Sequence, residues 1–336
     1  MRKISYADAI REAFHQLMEE DKRVILIGQG VTSPWYAGTT TVGLIDKFGD
    51  RRVIDTPVAE NSITGIAAGS SLVGIKPILM HPRMDFMYYA MDQIANHIAN
   101  WHFMFGGKTT MPLVIWAIIN RGGEQAAQHS QALQAIFMHI PGLKIVIPST
   151  PYDAKGLLIS SLKDDNPVLY IDDRWLYQEK GDVPEDLYSV PIGEAAVRRR
   201  GKDITIVASS YVAVKAIEAA KALGRVGIDA EVIDLRTLKP LDEDSICRSV
   251  EKTGRVIVVD GGWRTCGVAA EICALVGEKA FKYLRNPIAR ITLPDAPAPA
   301  SSALEKRYYP TERDIISEAK KMYNSGGIIG EVRSKS

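Results

Sequence analysis

The sequence predicts an α/β protein built on a parallel sheet, followed by a second, smaller α/β domain. The chain has 336 residues, 46% of them hydrophobic and 24% charged, which is enough for two domains with apolar cores. Short, continuous apolar runs alternate with helical patterns, as is typical of strands buried on both faces of a parallel sheet. The alternation stops once, near residues 172–203, and then resumes.

The first set of apolar runs predicts six strands, each rich in Val, Ile and Leu and bounded by turn residues. They are expected at 24–28, 52–55, 76–80, 112–119, 143–148 and 167–171. Ligands of such sheets bind beyond the carboxyl ends of the strands. Functional residues are therefore expected in the loops that follow these runs.

The second set begins after the break. It predicts strands at 203–210, 230–235 and 255–262, and helices at 212–223, at 242–252 and from about 267. We therefore predict a first domain over 1–190, a linker over 191–202 and a second domain over 203–336. The basic triplet in the linker, Arg198 to Arg200, has no interleaved aromatic residues and is expected to be a solvated turn.

Composition excludes several classes of partner. The chain has 41 basic and 40 acidic residues, a net charge of +1, so no overall field favours nucleic acid or an anionic membrane. No segment reaches the roughly 20 continuous apolar residues of a membrane span. Cys247, Cys266 and Cys273 show neither metal-ligand spacing nor an even number for disulfides, which predicts a reducing, cytoplasmic location.

One acid stands out in the stretch DTPVAENSITGIAAGSSLVG. Residues 51–55 are expected to form a strand and 62–74 a helix, so Glu60 lies between a strand tip and a helix amino terminus. Gly65 and Gly69 are four residues apart and share a helix face that would admit another backbone closely. Alternatively, Glu60 only stabilises the helix dipole and the glycines only fit a neighbouring helix.

Two further residues follow strands. His129, in GGEQAAQHSQ, comes after the strand at 112–119 and opens a predicted helix, where it would be well placed for proton transfer. It would otherwise serve to steady the loop. Phe86, in MDFMYYAMDQ, is either a ligand contact or part of a buried helix start.

These segments together resemble a known family. The spacing of Glu60, Gly65 and Gly69 resembles a motif of thiamin diphosphate enzymes. DTPVAEN, DFMYYAMDQIAN and AQHSQALQAIFMHIPGLKIVIPSTPYDAKGLL resemble the beta subunit of the heterotetrameric 2-oxo acid dehydrogenases of the pyruvate, branched-chain and acetoin types. The resemblance runs from SYADAIREA to LPDAPAPASSALE. It implies a pyrimidine-binding domain with a parallel sheet, followed by a transketolase carboxy-terminal-like domain.

The resemblance also implies roles for particular residues. Glu60 would hydrogen-bond the aminopyrimidine of the cofactor and favour its imino tautomer, and Phe86 would pack against that ring. His129 would donate protons around the thiamin adduct and the incoming lipoyl group. Asp164 and Asn166, in KDDNPV, would bind a monovalent cation such as potassium.

The sequence departs from the family beside the substrate. It reads HPRMDF where relatives often have an acid or glutamine with an aromatic residue, and GGEQAAQ where they have a glycine-rich run. His81 and Arg83 would lie near the substrate end of the cofactor. Arg83 would then hold a carboxylate or a polar tail by charge-assisted hydrogen bonds, or it would be a surface residue at a strand end.

The family's partners follow from a missing motif. The chain contains no GDG, the sequence that usually begins the site for the diphosphate and its magnesium ion. The resemblance therefore implies a separate alpha subunit that holds both, an α2β2 heterotetramer, and a lipoyl acyltransferase as a further partner.

Two other functions remain open at this point. One is half of a split transketolase that acts on sugar phosphates, although TPVAENS fits a 2-oxo acid dehydrogenase better. The other is a non-catalytic interaction subunit of the same fold.

Overall fold

The chain, described here from a computed structural model that covers residues 2–326, forms two compact units. The first extends to Ile192 and includes Leu238–Pro240. The second comprises Gly193–Thr237 and the described chain from Leu241 onward. The stretch predicted as a linker, 191–202, contains a strand of the second unit, Ala196–Arg199, and so is not a free connection.

A short strand at 237–239 adds to the sheet of the first unit, whose described chain up to residue 192 contains eight further strands. They are β1 (Arg2–Ser5), β2 (Val24–Gly28), β3 (Val53–Asp55), β4 (Lys76–His81), β5 (Val114–Ile119), β6 (Lys144–Val146), β7 (Val168–Asp173) and β8 (Lys180–Val183). β1 and β8 pair with each other antiparallel. The others form a parallel sheet in the order β6-β7-β5-β4-β2-β3.

Helices connect these strands. They are α1 (Tyr6–Glu20), α2 (Leu44–Phe48), α3 (Glu60–Leu72), α4 (Trp101–Met104), α5 (Gln134–Met138) and α6 (Pro151–Lys163). Met84–Ala90 and Arg174–Leu176 are 3-10 helices, and Asp92–Ile98 is a π-helix. The α1 helix begins where the Ser5 side chain accepts a hydrogen bond from the Asp8 backbone N–H. Its buried Phe14 meets Trp116 of β5 at 5.0 Å between ring centroids, which fixes the helix on the sheet.

The second unit repeats the α/β pattern. Its strands are β9 (Ala196–Arg199), β10 (Ile204–Ala208), β11 (Ala230–Asp234), β12 (Thr237–Lys239), β13 (Val256–Trp263) and β14 (Ala289–Leu293). Its helices are α7 (Tyr211–Gly224), α8 (Glu243–Thr253), α9 (Val268–Lys279), α10 (Ser302–Tyr308) and α11 (Glu312–Asn324), with a 3-10 helix at Phe281–Tyr283. The sheet order is β14-β13-β10-β11-β9, with only β9 antiparallel to its neighbour. Residues 238 and 239 of β12 count with the first unit, whose sheet β12 extends beside β6.

The predicted α/β fold class is confirmed, and the nine predicted runs locate nine parallel strands to within two residues, whereas the parallel strand β14 was not predicted. The prediction of a solvated turn at the basic triplet is wrong. Arg198 lies in β9, its side chain is only 20% exposed, and it pairs with Asp234 at 2.8 Å. Among residues 2–326, no helix is both long enough and apolar enough to cross a membrane.

Candidate active site

A cavity of about 380 Å³ lies at the carboxyl edge of the sheet in the first unit, beyond the ends of β2, β3, β4 and β5. Its volume is near the lower end of the range for small-molecule sites. Five residues singled out from the sequence line it together: Glu60, His81, Arg83, Phe86 and His129. The structure thus brings the predicted residues of the first unit to one place, with the exception of Asp164 and Asn166.

Glu60 is the first residue of α3 and lies on the cavity wall. Within residues 2–326, its carboxylate makes no hydrogen bond or ion pair, and only its backbone carbonyl is used, accepting from the Thr64 hydroxyl at 2.6 Å. The neighbouring wall includes the side chains of Val58 and Ile63. The helix dipole favours a negative charge here, and both carboxylate oxygens keep their capacity to accept from a ligand.

The predicted small face of α3 is open at Gly69 in the described chain, whereas Gln93 packs beside Gly65. A side chain added at Gly69 would meet nothing within 4 Å. On the same face, Ile66 is 59% exposed and Val73, just after the helix, is 80% exposed. An apolar helix face of this kind, next to a cavity, is a candidate contact surface.

His81 is the last residue of β4 and is buried. Its Nε2 lies 3.2 Å from the Thr64 hydroxyl oxygen. Because that hydroxyl donates to the Glu60 carbonyl, its lone pair accepts from the imidazole, which places the ring hydrogen on Nε2. Burial lowers the pKa of His81 to about 4, so His81 is a neutral part of the wall at pH 7.

Phe86 and His129 meet edge to face, with ring centroids 5.4 Å apart and planes at 78°. Phe86 lies in the 3-10 helix after β4, and His129 lies in the loop after β5. Next to Phe86, the buried Asp85 accepts a hydrogen bond from the Gln131 backbone N–H at 2.9 Å. Asp85 therefore ties the histidine loop to the element that carries Phe86.

The prediction that His129 opens a helix is wrong, because the next helix begins at Gln134. The Gln131 N–H is bonded to Asp85 rather than to a helical carbonyl. Upstream, Glu124 and Ala126 have φ of 61° and 60°, a region that non-glycine residues rarely adopt. The loop therefore has an irregular path with local backbone strain.

Arg83 also lines the cavity and is half-buried. One of its terminal nitrogens donates to the Pro82 carbonyl at 3.0 Å, while its buried Nε has no hydrogen-bond partner. The guanidinium lies 6.0 Å from the ring centroid of Tyr36, whose hydroxyl accepts from Gln29 at 2.8 Å. Sequence reasoning missed Gln29 and Tyr36, although Gln29 directly follows β2, where ligand residues are expected.

Two buried acids lie at the end of β7, at the same edge of the sheet as the cavity, and sequence reasoning missed both. Asp173, at the end of β7, pairs with Arg121 at 2.8 Å, and their side chains are 0% and 1% exposed. The neighbouring Asp172 accepts from Trp116 and from Tyr177, each at 3.0 Å. Burial raises the pKa of Asp172 to about 7.

Asp164 and Asn166 lie elsewhere, in the turn before β7 and so at the opposite edge of the sheet. Asp164 bonds to the Lys144 ammonium at 2.5 Å and accepts the Asn166 backbone N–H at 2.9 Å. The side-chain oxygen of Asn166 is buried and has no hydrogen-bond partner. Residues 2–326 contain no group of three or more His, Cys, Asp or Glu side chains that could hold a metal ion.

Comparison with known proteins agrees with the resemblance seen in the sequence. Residues 2–180 match the transketolase pyrimidine binding domain, and residues 193–315 match the transketolase C-terminal domain. The beta subunit of acetoin:2,6-dichlorophenolindophenol oxidoreductase of Bacillus subtilis is 43% identical over 328 residues, covering 94% of this chain and 96% of the relative. The beta subunit of the pyruvate dehydrogenase E1 component of Rickettsia felis is 40% identical over 319 residues, covering 95% and 98%.

A solved structure described as a split gene transketolase, an inactive beta4 tetramer, has the same fold. Its TM-score is 0.77 at 23% identity, and the match covers 96% of this chain and 99% of that one. At that identity the likeness establishes the fold alone. With the family models and the relatives at 40% identity and above, however, the predicted resemblance is confirmed: the chain belongs to the transketolase-like family of 2-oxo acid dehydrogenase beta subunits.

Proposed function

We propose that this chain is the beta subunit of a thiamin diphosphate-dependent 2-oxo acid dehydrogenase, which decarboxylates a 2-oxo acid and transfers the acyl group to a lipoyl carrier. The observation on which the proposal depends is Glu60, a carboxylate without a protein partner in the described chain, on one cavity wall with Phe86 and His129. Relatives at 40% identity and above are named as beta subunits of acetoin and pyruvate enzymes, which supports the class.

The cavity suits a flat, nitrogen-containing ring. Ile63, Met80 and Phe86 give it apolar and aromatic walls, and Glu60 gives it one hydrogen-bond acceptor. Glu60 would bind a ring nitrogen of the aminopyrimidine and hold the proton there. Thiamin diphosphate, when bound, supplies a thiazolium carbon that adds to the substrate carbonyl and an electron sink for decarboxylation.

His129 would be the proton donor of the site. Its ring is held edge-on against Phe86, and its loop is anchored by the hydrogen bond from Gln131 to Asp85. A histidine kept in place by its neighbours at a cavity wall is suited to proton transfer.

An alpha subunit would complete the site. The sequence has no GDG motif for the diphosphate and magnesium, and α3 presents Ile66 and Val73 to solvent beside the cavity. We propose that the alpha subunit covers this face and holds magnesium and diphosphate in an α2β2 heterotetramer. A lipoyl acyltransferase would then receive the acyl group, and the free thiols of the three cysteines suit the predicted cytoplasmic location.

A monovalent cation is the remaining part of the proposal. The unpaired side-chain oxygen of Asn166 would bind potassium, whereas Asp164 already has Lys144 as its counter-ion. Potassium chloride in place of choline chloride should raise the unfolding temperature of the wild type but not of Asn166→Ala. Equal shifts in both proteins would refute this site.

Copurification from the native source, followed by mass analysis of the partner and cofactor, is the most informative test. The assembled protein should contain an alpha subunit and thiamin diphosphate, and it should release CO2 from a 2-oxo acid with dichlorophenolindophenol as electron acceptor. The proposal fails if the cofactor is held entirely by copies of this chain, or is never bound. Turnover of sugar phosphates instead would support the split transketolase, and cofactor binding without any turnover would support a non-catalytic subunit.

A further inference from the structure

The cavity of the proposed active site is lined by one carboxylate and one guanidinium group, and these two groups do not form an ion pair. Among the described residues that line it, Glu60 is the only carboxylate, and Arg83 is the only lysine or arginine. No carboxylate oxygen lies within 4.0 Å of the Arg83 guanidinium in the described chain. The cavity therefore offers a separate positive group in addition to the acid.

Most of the donors of Arg83 are unused. A guanidinium has five N–H groups, and one here donates to the carbonyl of the adjacent Pro82. The Nε–H is buried and has no partner. Since leaving a buried donor unpaired is destabilising, this position favours a ligand that brings acceptor oxygens.

A second guanidinium increases the local positive charge. Arg174 donates to the Trp35 carbonyl at 3.4 Å and lies 5.9 Å from the Tyr177 ring centroid. Burial and then the charge of Arg174 lower the pKa of Arg83. Two neighbouring like charges are relieved when an anion binds between or beside them.

The nearby acids do not neutralise this charge completely. Asp85 attracts Arg83, but its one bonded oxygen accepts from the Gln131 backbone. Asp172 attracts Arg174, but its bonded oxygen accepts from Trp116 and Tyr177. Neither acid forms an ion pair with these arginines within 4.0 Å, so neither occupies the donors of Arg83.

We propose that Arg83 binds a second anionic group of the substrate, so that this chain selects 2-oxo acids with a distal carboxylate. The inference rests on the proposed function of the cavity. It uses Arg83 within HPRMDF, the segment in which the sequence is expected to depart from the family.

The reacting carboxylate is a poorer partner for Arg83. That group loses its charge as CO2 leaves, so an arginine bound to it would stabilise the ground state more than the transition state and slow the reaction. A distal carboxylate keeps its charge throughout. Binding it is uniform and lowers KM without changing kcat.

The test compares two acids of equal chain length, 2-oxopentanedioate and 2-oxopentanoate, on the assembled enzyme with its alpha subunit and thiamin diphosphate. Wild type should prefer the dioate. Arg83→Met should lose about 10- to 100-fold in kcat/KM for the dioate, through KM, because a charge-assisted hydrogen bond is removed. The loss for the monoacid should be much smaller than for the dioate, and Arg83→Lys should recover part of the loss for the dioate.

Arg23→Met is the matched control. Arg23 pairs with Asp21 at 2.7 Å before β2, at the opposite edge of the sheet from the cavity. This variant should leave the preference between the two acids unchanged.

Several outcomes would overturn the inference. Wild type could prefer the monoacid. Arg83→Met could lower kcat/KM equally for both acids, or its loss for the dioate could lie in kcat instead of KM. If no 2-oxo acid is turned over, the proposed function fails, and calorimetric binding of the two acids to wild type and Arg83→Met still decides the role of Arg83. Because a sugar phosphate is also anionic, it is measured alongside; an Arg83-dependent preference for it alone would overturn the dicarboxylic class.

Discussion

The two units use the same architecture, and Glu60 differs from the acids of the parallel strands in both, since Asp173 of the first unit is also paired, with Arg121. In the first, Glu60 follows β3 and keeps its carboxylate unbonded in the described chain. In the second, Asp260 of β13 accepts from the Gly262 N–H at 2.8 Å and the Ala269 N–H at 3.1 Å. Asp234, at the end of β11, is bound by Arg198 at 2.8 Å.

The difference suggests how a ligand-binding residue can be distinguished from a structural one on this fold. A parallel sheet brings polar side chains to its carboxyl edge in either unit. We expect a binding site where such a side chain keeps unused hydrogen-bonding capacity beside a cavity, as Glu60 does. All six histidines also occur within the first 139 residues, so imidazole chemistry is confined to the first unit.

The strongest test of this contrast exchanges one acid in each unit. Glu60→Gln should lower turnover of the assembled enzyme about 10³- to 10⁴-fold, since it removes a proton-holding group, and should leave the unfolding temperature unchanged. Asp260→Asn should retain the turnover of the folded protein but lose about 1 to 3 kcal/mol of unfolding free energy, because two backbone donors lose a charged acceptor. Normal decarboxylation by Glu60→Gln would show that the unpaired acid is not used.

His129 comes next in expected size. His129→Ala should slow acyl transfer to the lipoyl carrier about 10²-fold by removal of a proton donor. His139→Ala, an exposed histidine outside the cavity, serves as the control and should transfer at the wild-type rate. Unchanged flux in His129→Ala would remove this residue from the chemistry.

The pH dependence of stability should reflect His81. Its pKa is about 4 in the folded chain and near 6.5 when unfolded, so the unfolded state binds more protons between these values. The stabilisation is complete above pH 6.5 and falls with decreasing pH toward 4, by about 1.4 kcal/mol per pH unit. Urea unfolding of wild type and His81→Asn should show this slope only in wild type.

Asp172 gives the free energy of unfolding a pH dependence of the opposite sign. Its raised pKa of about 7 gives stabilisation at low pH that is lost as the pH rises through 7. This contribution is common to wild type and His81→Asn, so it cancels in their difference. Parallel pH profiles of the two proteins would contradict the assignment to His81.

The smallest effect concerns backbone strain in the histidine loop. Ala126→Gly should raise the unfolding free energy by about 0.5 kcal/mol, because glycine adopts φ of 60° freely, while the more flexible unfolded chain offsets part of the gain. Ala222→Gly, in helix α7 of the second unit, should instead lose about 1 kcal/mol. Equal losses in both variants would mean that Ala126 is not strained.

Most of the parallel strands could be predicted because their side chains are buried and leave a continuous apolar run, as in VIWAII of β5, whereas the half-buried β14 was missed. The positions of Glu60 and Phe86 could be predicted from their place after strands and from the family resemblance. The edge strand β9 could not, because AVRR has no such run. It is held by its pairing with β11 and by the bond from Arg198 to an aspartate 36 residues away.

Parts of the candidate site also depend on long-range contacts that the local sequence does not show. Arg121 and Asp173 are 52 residues apart and form a buried pair that no local pattern announces. The helix expected at His129 was wrong, and the loop there is instead held by the bond from the Gln131 N–H to Asp85, 46 residues earlier. In both cases the chain is held by a long-range partner that local propensity does not reveal.

The exposed apolar face of α3 has a consequence for the synthesis of the protein in the cell. If the alpha subunit covers this face as proposed, a chain made in excess of its partner would show Ile66 and Val73 to water and would be prone to self-association and degradation. Matched synthesis of the two subunits would then matter as much as correct folding.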